Sequence, residues 1–494
     1  MKVLFVYSIQ KSVLQEKPLL GQEGIYLGIS FISGLLKQQG HSCELVVLDR
    51  RYKKKNLSLL NREIKAFSPD ILAFTAVYSE FEFIYNLASE IRTLYPDLFL
   101  LAGGVHLTLN PDERYLDVFN AFCIGEGEEA TLELVENLAQ GKDISQIANL
   151  WVRTPDGITK NPCRPFIANL DSLPFADRDM WQRWILKPET KPAILVGRGC
   201  PFNCTYCCNH KLRKVTTGQY VRLRSAENIL AEIRQLHCRF PRLAEIYLEV
   251  ETLGVDLQWL EVFCDLLHRF GQETGFQIRF ATNLRIFPRL DIETVFRNFK
   301  KANILSVTIG LESGSYRLRK EILNRDYSNE LILSAAVMAK EMGIDISLFN
   351  MVGLPTETRE EFQETLKINQ LVQPHFHATS IFFPYQGTAI YDICKELGVL
   401  PERVNTNDER QRSVLDLPGF SSREIERSFN SFHYNVYKVR PDASRLKLAI
   451  YFLMRYAGHN RFANLKISLI RIMYRLRIMN FAGKNFLSIF QKSK

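Results

Sequence analysis

The sequence predicts an α/β protein built as two successive arrays: a parallel sheet wrapped by helices over residues 1–145, and a series of β/α units over 191–390. Three observations predict it. Short apolar runs alternate with amphipathic stretches through the first 140 residues. The alternation resumes after a Pro-rich interval, and beyond about Leu400 it gives way to helical spacing, so 391–494 is expected to be a helical, basic region. At 494 residues and 46% hydrophobic content the chain is globular and long enough for two or three domains.

In the first array, Lys2–Tyr7 reads as a buried strand, Gly24–Gln39 carries apolar residues at helical spacing, and Ser42–Leu48 is again a strand. Pro69–Thr75, Phe81–Leu94, Leu98–Ala102 and Ala121–Ile124 continue the alternation. Such a pattern gives a parallel sheet covered on both faces, whose ligands sit at the carboxyl ends of the strands. Two of those ends carry Gly103-Gly104-Val105-His106 and Gly125-Glu126-Gly127-Glu128. Glycine there serves either an ordinary turn or a close approach of backbone to ligand. Arg50-Arg51 and Lys53-Lys54-Lys55 are expected to be a solvated loop, and no nucleic-acid partner is expected.

Residues 146–190 are read as a hairpin and linker. Leu150–Arg153 and Gly157–Lys160 flank the turn Thr154-Pro155-Asp156-Gly157, and Asn161–Phe175 is the Pro-rich connection. The second array then gives six strand-like runs: Ala193–Val196, Glu245–Val250, Gln277–Ala281, Leu305–Leu311, Ile344–Met351 and His375–Phe383. Helices are expected near Ser225–His237, Leu257–Phe270, Ile292–Lys301, Asn329–Met342 and Glu360–Val372.

After the first of these strands comes Arg198-Gly199-Cys200-Pro201-Phe202-Asn203-Cys204-Thr205-Tyr206-Cys207. Cys200, Cys204 and Cys207 are spaced to hold three corners of a cubane iron–sulfur cluster and leave the fourth iron open to a small molecule. The alternatives are a structural zinc site or unrelated thiols. Zinc asks for four ligands, usually in paired knuckles; the fourth thiol available, Cys208, adjoins Cys207 and no partner pair follows. Cys208 is expected to pack and not to ligate.

This spacing, with its Arg-Gly and Pro-Phe-Asn flanks, resembles the signature of the radical S-adenosylmethionine (SAM) superfamily, in which the open iron of a 4Fe-4S cluster chelates SAM. The first array, including Gly24-Ile25-Tyr26-Leu27-Gly28 and Ser68-Pro69-Asp70, resembles the cobalamin-binding domain found ahead of many radical SAM domains. Together they are similar to the class B radical SAM methyltransferases. The resemblance implies a flavodoxin-like or Rossmann-like cobalamin-binding domain, then a partial (β/α)6 TIM-like barrel. It implies cobalamin near Gly103, Gly104, Gly125, Glu126 and Gly127. The Asp-x-His-x-x-Gly motif that supplies an axial histidine to cobalt elsewhere is absent; His106 is a loop histidine that lies near the corrin or donates to backbone, the latter being the preferred reading.

By the same resemblance Glu312, at the end of the fourth strand and beside Ser313, contacts SAM. Glu249 and Glu251 end the second strand, with the assignment open between them; Asn283 and Arg285 follow the third. Gly353 lies in Met351-Val352-Gly353-Leu354-Pro355-Thr356-Glu357, which resembles the backbone edge that borders adenine. No side-chain acid or base need lead, because the cofactors carry the radical chemistry.

The implied reaction is reductive cleavage of SAM followed by cobalamin-dependent methylation of an unactivated carbon, consuming two SAM molecules per turnover. The alternatives are radical cyclisation, rearrangement or oxidation, and a non-catalytic iron–sulfur or cobalamin carrier. The implied partners are a small-molecule or lipid-like substrate and an electron donor such as flavodoxin or ferredoxin. Ten cysteines without extracellular pairing, no apolar run of membrane length and an N-terminus that reads as a strand place the expectation in the cytoplasm. From Arg440 to Lys494 there are twelve Lys or Arg and one acid, Asp442, so the net +9 belongs to the tail and the rest sums to −2. There Phe462, Leu465, Leu469, Ile472, Met473 and Leu476 recur at helical spacing, a stripe expected to pack on the protein, with peripheral membrane contact as the alternative.

Overall fold

A computed structural model describes residues 1–456 except 11, 13, 15 and 442. The contacts divide it into two compact units: Met1–Phe202 with Cys208–Leu243, and Asn203–Cys207 with the chain from Ala244 onward.

The first unit is organised by a seven-stranded sheet. Its spatial order is Ser42–Asp49, Lys2–Ile9, Ile71–Thr75, Phe99–Gly103, Ala121–Cys123, Leu150–Thr154 and Gly157–Lys160. The first five strands are parallel. They follow the order 2-1-3-4-5 of a doubly wound, flavodoxin-like sheet, whose ligand crevice lies where the order reverses, beside strands 1 and 3. All five residues of Ile71–Thr75 are buried, as a strand covered on both faces requires. The expected hairpin forms and extends this sheet antiparallel to Ala121–Cys123. The connecting stretch is less of a free linker than its composition implies: its 3-10 helix Asp179–Trp184 buries Met180, Trp181 and Trp184 in the sheet's core.

The element at Lys53 differs from the sequence reading. Lys53–Phe67 is a helix, so the three lysines form its first turn and not a loop. Its partly apolar far end anchors it, with Leu60 and Ile64 in the core, and tertiary packing overrides the unfavourable positive charge at a helix N-terminus.

In the second unit the strands Glu245–Glu249, Arg279–Leu284, Ile304–Glu312, Asp345–Val352 and Phe376–Ile381 pair consecutively and in parallel. Helices Leu257–Thr274, Ile292–Lys301, Asn329–Met342 and Arg359–Val372 alternate with them. The first strand expected in this array, Ala193–Leu195, also forms and belongs to the first unit. All six strands of the expected partial α/β barrel therefore exist. Caps explain where the helices begin: Asp256 accepts from Trp259 N at 2.9 Å and Asp291 from Thr294 N at 3.1 Å. Thr358 and Glu361 close a capping box. The strand expected at Gln277–Ala281 starts and ends later, at Arg279–Leu284, because Thr282 and Asn283 bond to the neighbouring strand through Leu248 O and Val250 O at 3.2 and 3.1 Å.

Helices Ser422–Tyr437 and Arg445–Tyr456 begin the C-terminal region. The helical stripe from Phe462 to Leu476 lies outside the described residues. Among the described residues no helix is long and apolar enough to cross a membrane.

Candidate functional site

Asn203–Cys207 is held in the second unit by backbone bonds: Thr205 N donates to Leu323 O at 3.2 Å, and Ile390 N donates to Thr205 O at 3.0 Å. Cys207 N turns back on Cys204 O at 3.2 Å. Cys204 is buried, and the guanidinium of Arg285 lies against its sulfur, Nη1 to Sγ 2.6 Å. Arg285 is itself set by Thr252, whose Oγ1 accepts from its backbone N–H at 2.9 Å. In the first unit, Arg213 donates to the Cys200 carbonyl. None of the three cysteines is in a disulfide. Cys208 stands at the start of the short helix Asn209–Leu212. Among the described residues no three His, Cys, Asp or Glu are arranged to hold a single metal ion; a cubane instead asks for one thiolate on each of three iron corners. A donor set of three thiols on one pinned loop, with a cation against one of them, suits that cluster.

Glu312 is brought to this loop by a local irregularity. The ladder between the fourth and fifth strands slips between Gly310 and Glu312, and Glu312 has φ +62°. A bulge with a non-glycine residue in the left-handed region re-aims a side chain at some cost in strain. The carboxylate then folds over Gly310, where a Cβ would overlap it. Its Oε1 accepts from the hydroxyl of Tyr206 at 2.9 Å and lies 3.4 Å from Arg325 Nη1, which also donates to Tyr206 Oη at 2.8 Å. Arg325 is anchored on Gly310 O at 2.6 Å. Burial raises the Glu312 carboxyl above its ordinary range, against the opposing pull of Arg325, Tyr206, Arg285 and Arg410. Burial likewise raises the Tyr206 phenol, so it remains a donor.

The remaining residues expected at this site are distributed unevenly. Asn283 lies inside its strand, accepting from Tyr247 Oη at 2.6 Å. Glu249 ends the second strand half-buried, while Glu251 is exposed. Ser313 is fully buried, 3.4 Å from Thr365 Oγ1, and accepts from Ser315 N. Gly353 has φ +82° and packs under Ile425, where a Cβ would come within 2.9 Å. Its N–H and that of Leu354 donate to Glu357, whose carboxyl burial pushes up to about 8. Tyr206, Arg325 and Arg410 had no assigned role in the sequence. Tyr206 was findable, since it sits inside the cysteine motif; Arg325 and Arg410 are brought in only by folding.

In the first unit, Gly104 has φ +106° and a Cβ there would meet Ala76 O at 2.7 Å, so glycine is required by the turn itself. Gly103 has only Cys123 Cβ, at 3.8 Å, near its own Cβ position, which leaves room for a ligand. His106 corrects the sequence reading. It lies in the helix Val105–Leu109, is 6% exposed, and donates to no backbone: neither ring nitrogen has a hydrogen-bond partner. It stacks on Phe81 with centroids 4.1 Å apart, and burial lowers its pKa to about 4, so the ring is neutral. Gly125 has φ +84°, and Gly127 packs against Ile32. Glu126 is fully engaged: it accepts from Arg198 and Arg222 at 2.9–3.0 Å and from Ile167 N at 2.8 Å. Despite the cost of burial, Arg222 and Arg198 hold its carboxyl below the ordinary range. An orphaned buried imidazole, an open glycine and strand-end backbone make a site that suits a corrin.

The description "B12 binding domain" matches residues 20–135, and "Radical SAM superfamily" matches 194–368. An uncharacterized methyltransferase of Pyrococcus horikoshii is 26% identical over 89% of this chain and 93% of its own length. An anaerobic magnesium-protoporphyrin IX monomethyl ester cyclase of Rubrivivax gelatinosus is 25% identical over 75% of this chain and 66% of its own. Among solved structures, the radical S-adenosylmethionine methyltransferase TsrM of Kitasatospora setae, with cobalamin and a [4Fe-4S] cluster bound, superposes with a TM-score of 0.63. It covers 90% of each chain at 16% identity, a likeness of fold.

Proposed function

We propose that this chain, in which a match to the B12 binding domain precedes a match to the radical SAM superfamily, methylates an unactivated carbon of a small-molecule substrate in a cobalamin-dependent radical reaction. The radical SAM domain implies a 4Fe-4S cluster and SAM, and the B12-binding domain implies cobalamin. When bound, these groups supply a low-potential electron for reductive cleavage of SAM and a carrier for the methyl group. The observation that carries the reading is the occurrence in one chain of the three-thiol loop and the flavodoxin-like sheet with the open strand-end glycine Gly103.

The protein's own contribution is holding and shielding. Cys200, Cys204 and Cys207 would hold the cluster, and Arg285 donates to the Cys204 sulfur. Glu312 is fixed by Tyr206 and Arg325, ready to accept from a ribose hydroxyl or amino group of SAM. Glu249, Glu251, Asn283, Ser313 and Gly353 frame the same cofactor, Ser313 and Gly353 through backbone and packing. In the first unit Gly103, Gly104, Gly125, Glu126, Gly127 and His106 form the corrin site, Glu126 through its backbone because its carboxylate is spent on arginines.

We place the enzyme in the cytoplasm with a flavodoxin- or ferredoxin-type electron donor; the apolar stripe beyond 456 is expected to pack on the protein, and a lipid-like substrate met at an anionic membrane surface is the alternative. The test is anaerobic reconstitution with iron, sulfide and hydroxocobalamin, then incubation with methyl-labelled SAM, a reductant and host extract. Label in a carbon-bound methyl of the product is expected, together with deoxyadenosine and S-adenosylhomocysteine. Cys204→Ala should abolish both, whereas Cys208→Ala should keep them. A product formed with deoxyadenosine but without label would replace methylation by cyclisation or oxidation, the reading to which the cyclase relative corresponds. A wild type that makes no deoxyadenosine would end the enzyme reading.

A further inference from the structure

The loop after the strand Ala121–Cys123 of the first unit and the backbone leading into the cysteine motif share one buried ion network. Arg198, two residues before Cys200, donates to Glu126 Oε1 at 2.9 Å and to Glu128 Oε1 at 2.5 Å. Arg198 pairs with Arg222 in a two-residue antiparallel ladder, and Arg222 donates to both oxygens of Glu126. Arg222 also donates to Ile167 O at 2.7 Å, which ties the network to the preceding segment. Side-chain exposure is 4% for Glu128 and Arg222 and below 20% for Arg198 and Glu126, so these bonds work with little competing water. The guanidiniums are further walled by Phe31 and Phe166. Glycine is required at both flanks of Arg198: a Cβ at Gly197 or Gly199 would collide with the backbone of Arg222 or Tyr220.

We propose that Glu126 and Glu128 are positioning residues that couple the two cofactor sites, so that filling the corrin site orders the segment entering Cys200 and raises the protein's hold on the cluster, and the reverse. This rests on the proposed reading of Gly125–Gly127 as part of the corrin site. A ligand seated on that loop fixes the backbone that carries both carboxylates. The carboxylates fix the fork of Arg198, and the ladder to Arg222 passes that constraint to Gly199 and Cys200. A second ligand then meets a segment already ordered and loses less freedom on binding, which is positive coupling without a change of fold. By linkage the effect must be the same measured from either side.

The experiment titrates hydroxocobalamin by absorbance into the full-length protein, once cluster-free and once after reconstitution with iron and sulfide, for wild type, Glu126→Gln and Glu128→Gln. Wild type should bind cobalamin at least about five-fold tighter when the cluster is present, the low end of measured site-to-site couplings. The chelator concentration that strips half the iron at equilibrium should rise by a similar factor when cobalamin is added. In both variants, each still folded by circular dichroism and each still binding both cofactors, the ratio should fall to about one. The Glu128 variant removes only one of the two acceptors of Arg198, so it stands if the Glu126 variant does not fold. A wild-type ratio of one, or a ratio kept in the folded variants, overturns the coupling while leaving the proposed function intact. A wild type that takes up neither cofactor overturns both.

Discussion

His106 sits between Phe81 and Tyr115 with both nitrogens buried and unbonded, a residue that weakens the fold unless a ligand uses it. Its folded pKa of about 4 lies below the unfolded value of 6.5, so the unfolded chain binds the extra proton between them. Stability is therefore undiminished above pH 6.5 and falls as pH drops towards 4, by on the order of 3 kcal/mol in all. His106→Phe should remove that acid loss and be neutral or stabilising at pH 7, as read by thermal melts across pH 4–8. A marked loss of hydroxocobalamin affinity in the same variant would mean that the ring serves the corrin directly. The cysteine trio could be proposed from its spacing and flanks because one short stretch, 198–207, carries it. Arg325 was not, since nothing near it in sequence announces that it will meet Tyr206, 119 residues away.

At the scale of an element, the fourth strand of the second unit shows how a ladder defect makes a site. Gly310, the slipped register and the positive φ of Glu312 form one device, because only a residue without Cβ leaves space for the returning carboxylate. Gly310→Ala should cost about 1–3 kcal/mol in denaturant unfolding, and much less in a Glu312→Gly background where nothing folds back. Equal costs in both backgrounds would show that the clash is not the cause. The periodicity of the sequence located this strand to within one residue at each end. It misplaced the third by two or three, because polar Thr282 and Asn283 extend that strand through bonds to its neighbour.

For the whole molecule, the cores form from the chain's own apolar residues, including Val3–Val6, Ile71–Phe74 and Leu100–Ala102 in the first sheet. The cofactor-free protein should accordingly be folded, with the far-ultraviolet circular dichroism of the reconstituted form, unlike small domains that fold only around metal. Hydroxocobalamin at 100 times its dissociation constant should stabilise it by about 2.7 kcal/mol, seen as a raised melting temperature. Unfolded apo-protein would show that the cofactors supply part of the core.

The two arrays, the strands of the second and the spacing of the candidate thiols are readable along the chain, because hydrophobic alternation and loop spacing are local properties. Folding was needed to show that Lys53–Lys55 open a helix, that His106 is an orphan among aromatic rings, and that Glu126 answers to Arg198 and Arg222. It also placed Arg285 on the Cys204 sulfur. The pairings of Glu126 and of Arg285 are meetings of residues far apart in sequence, where burial removes water and so sets which polar groups must find one another.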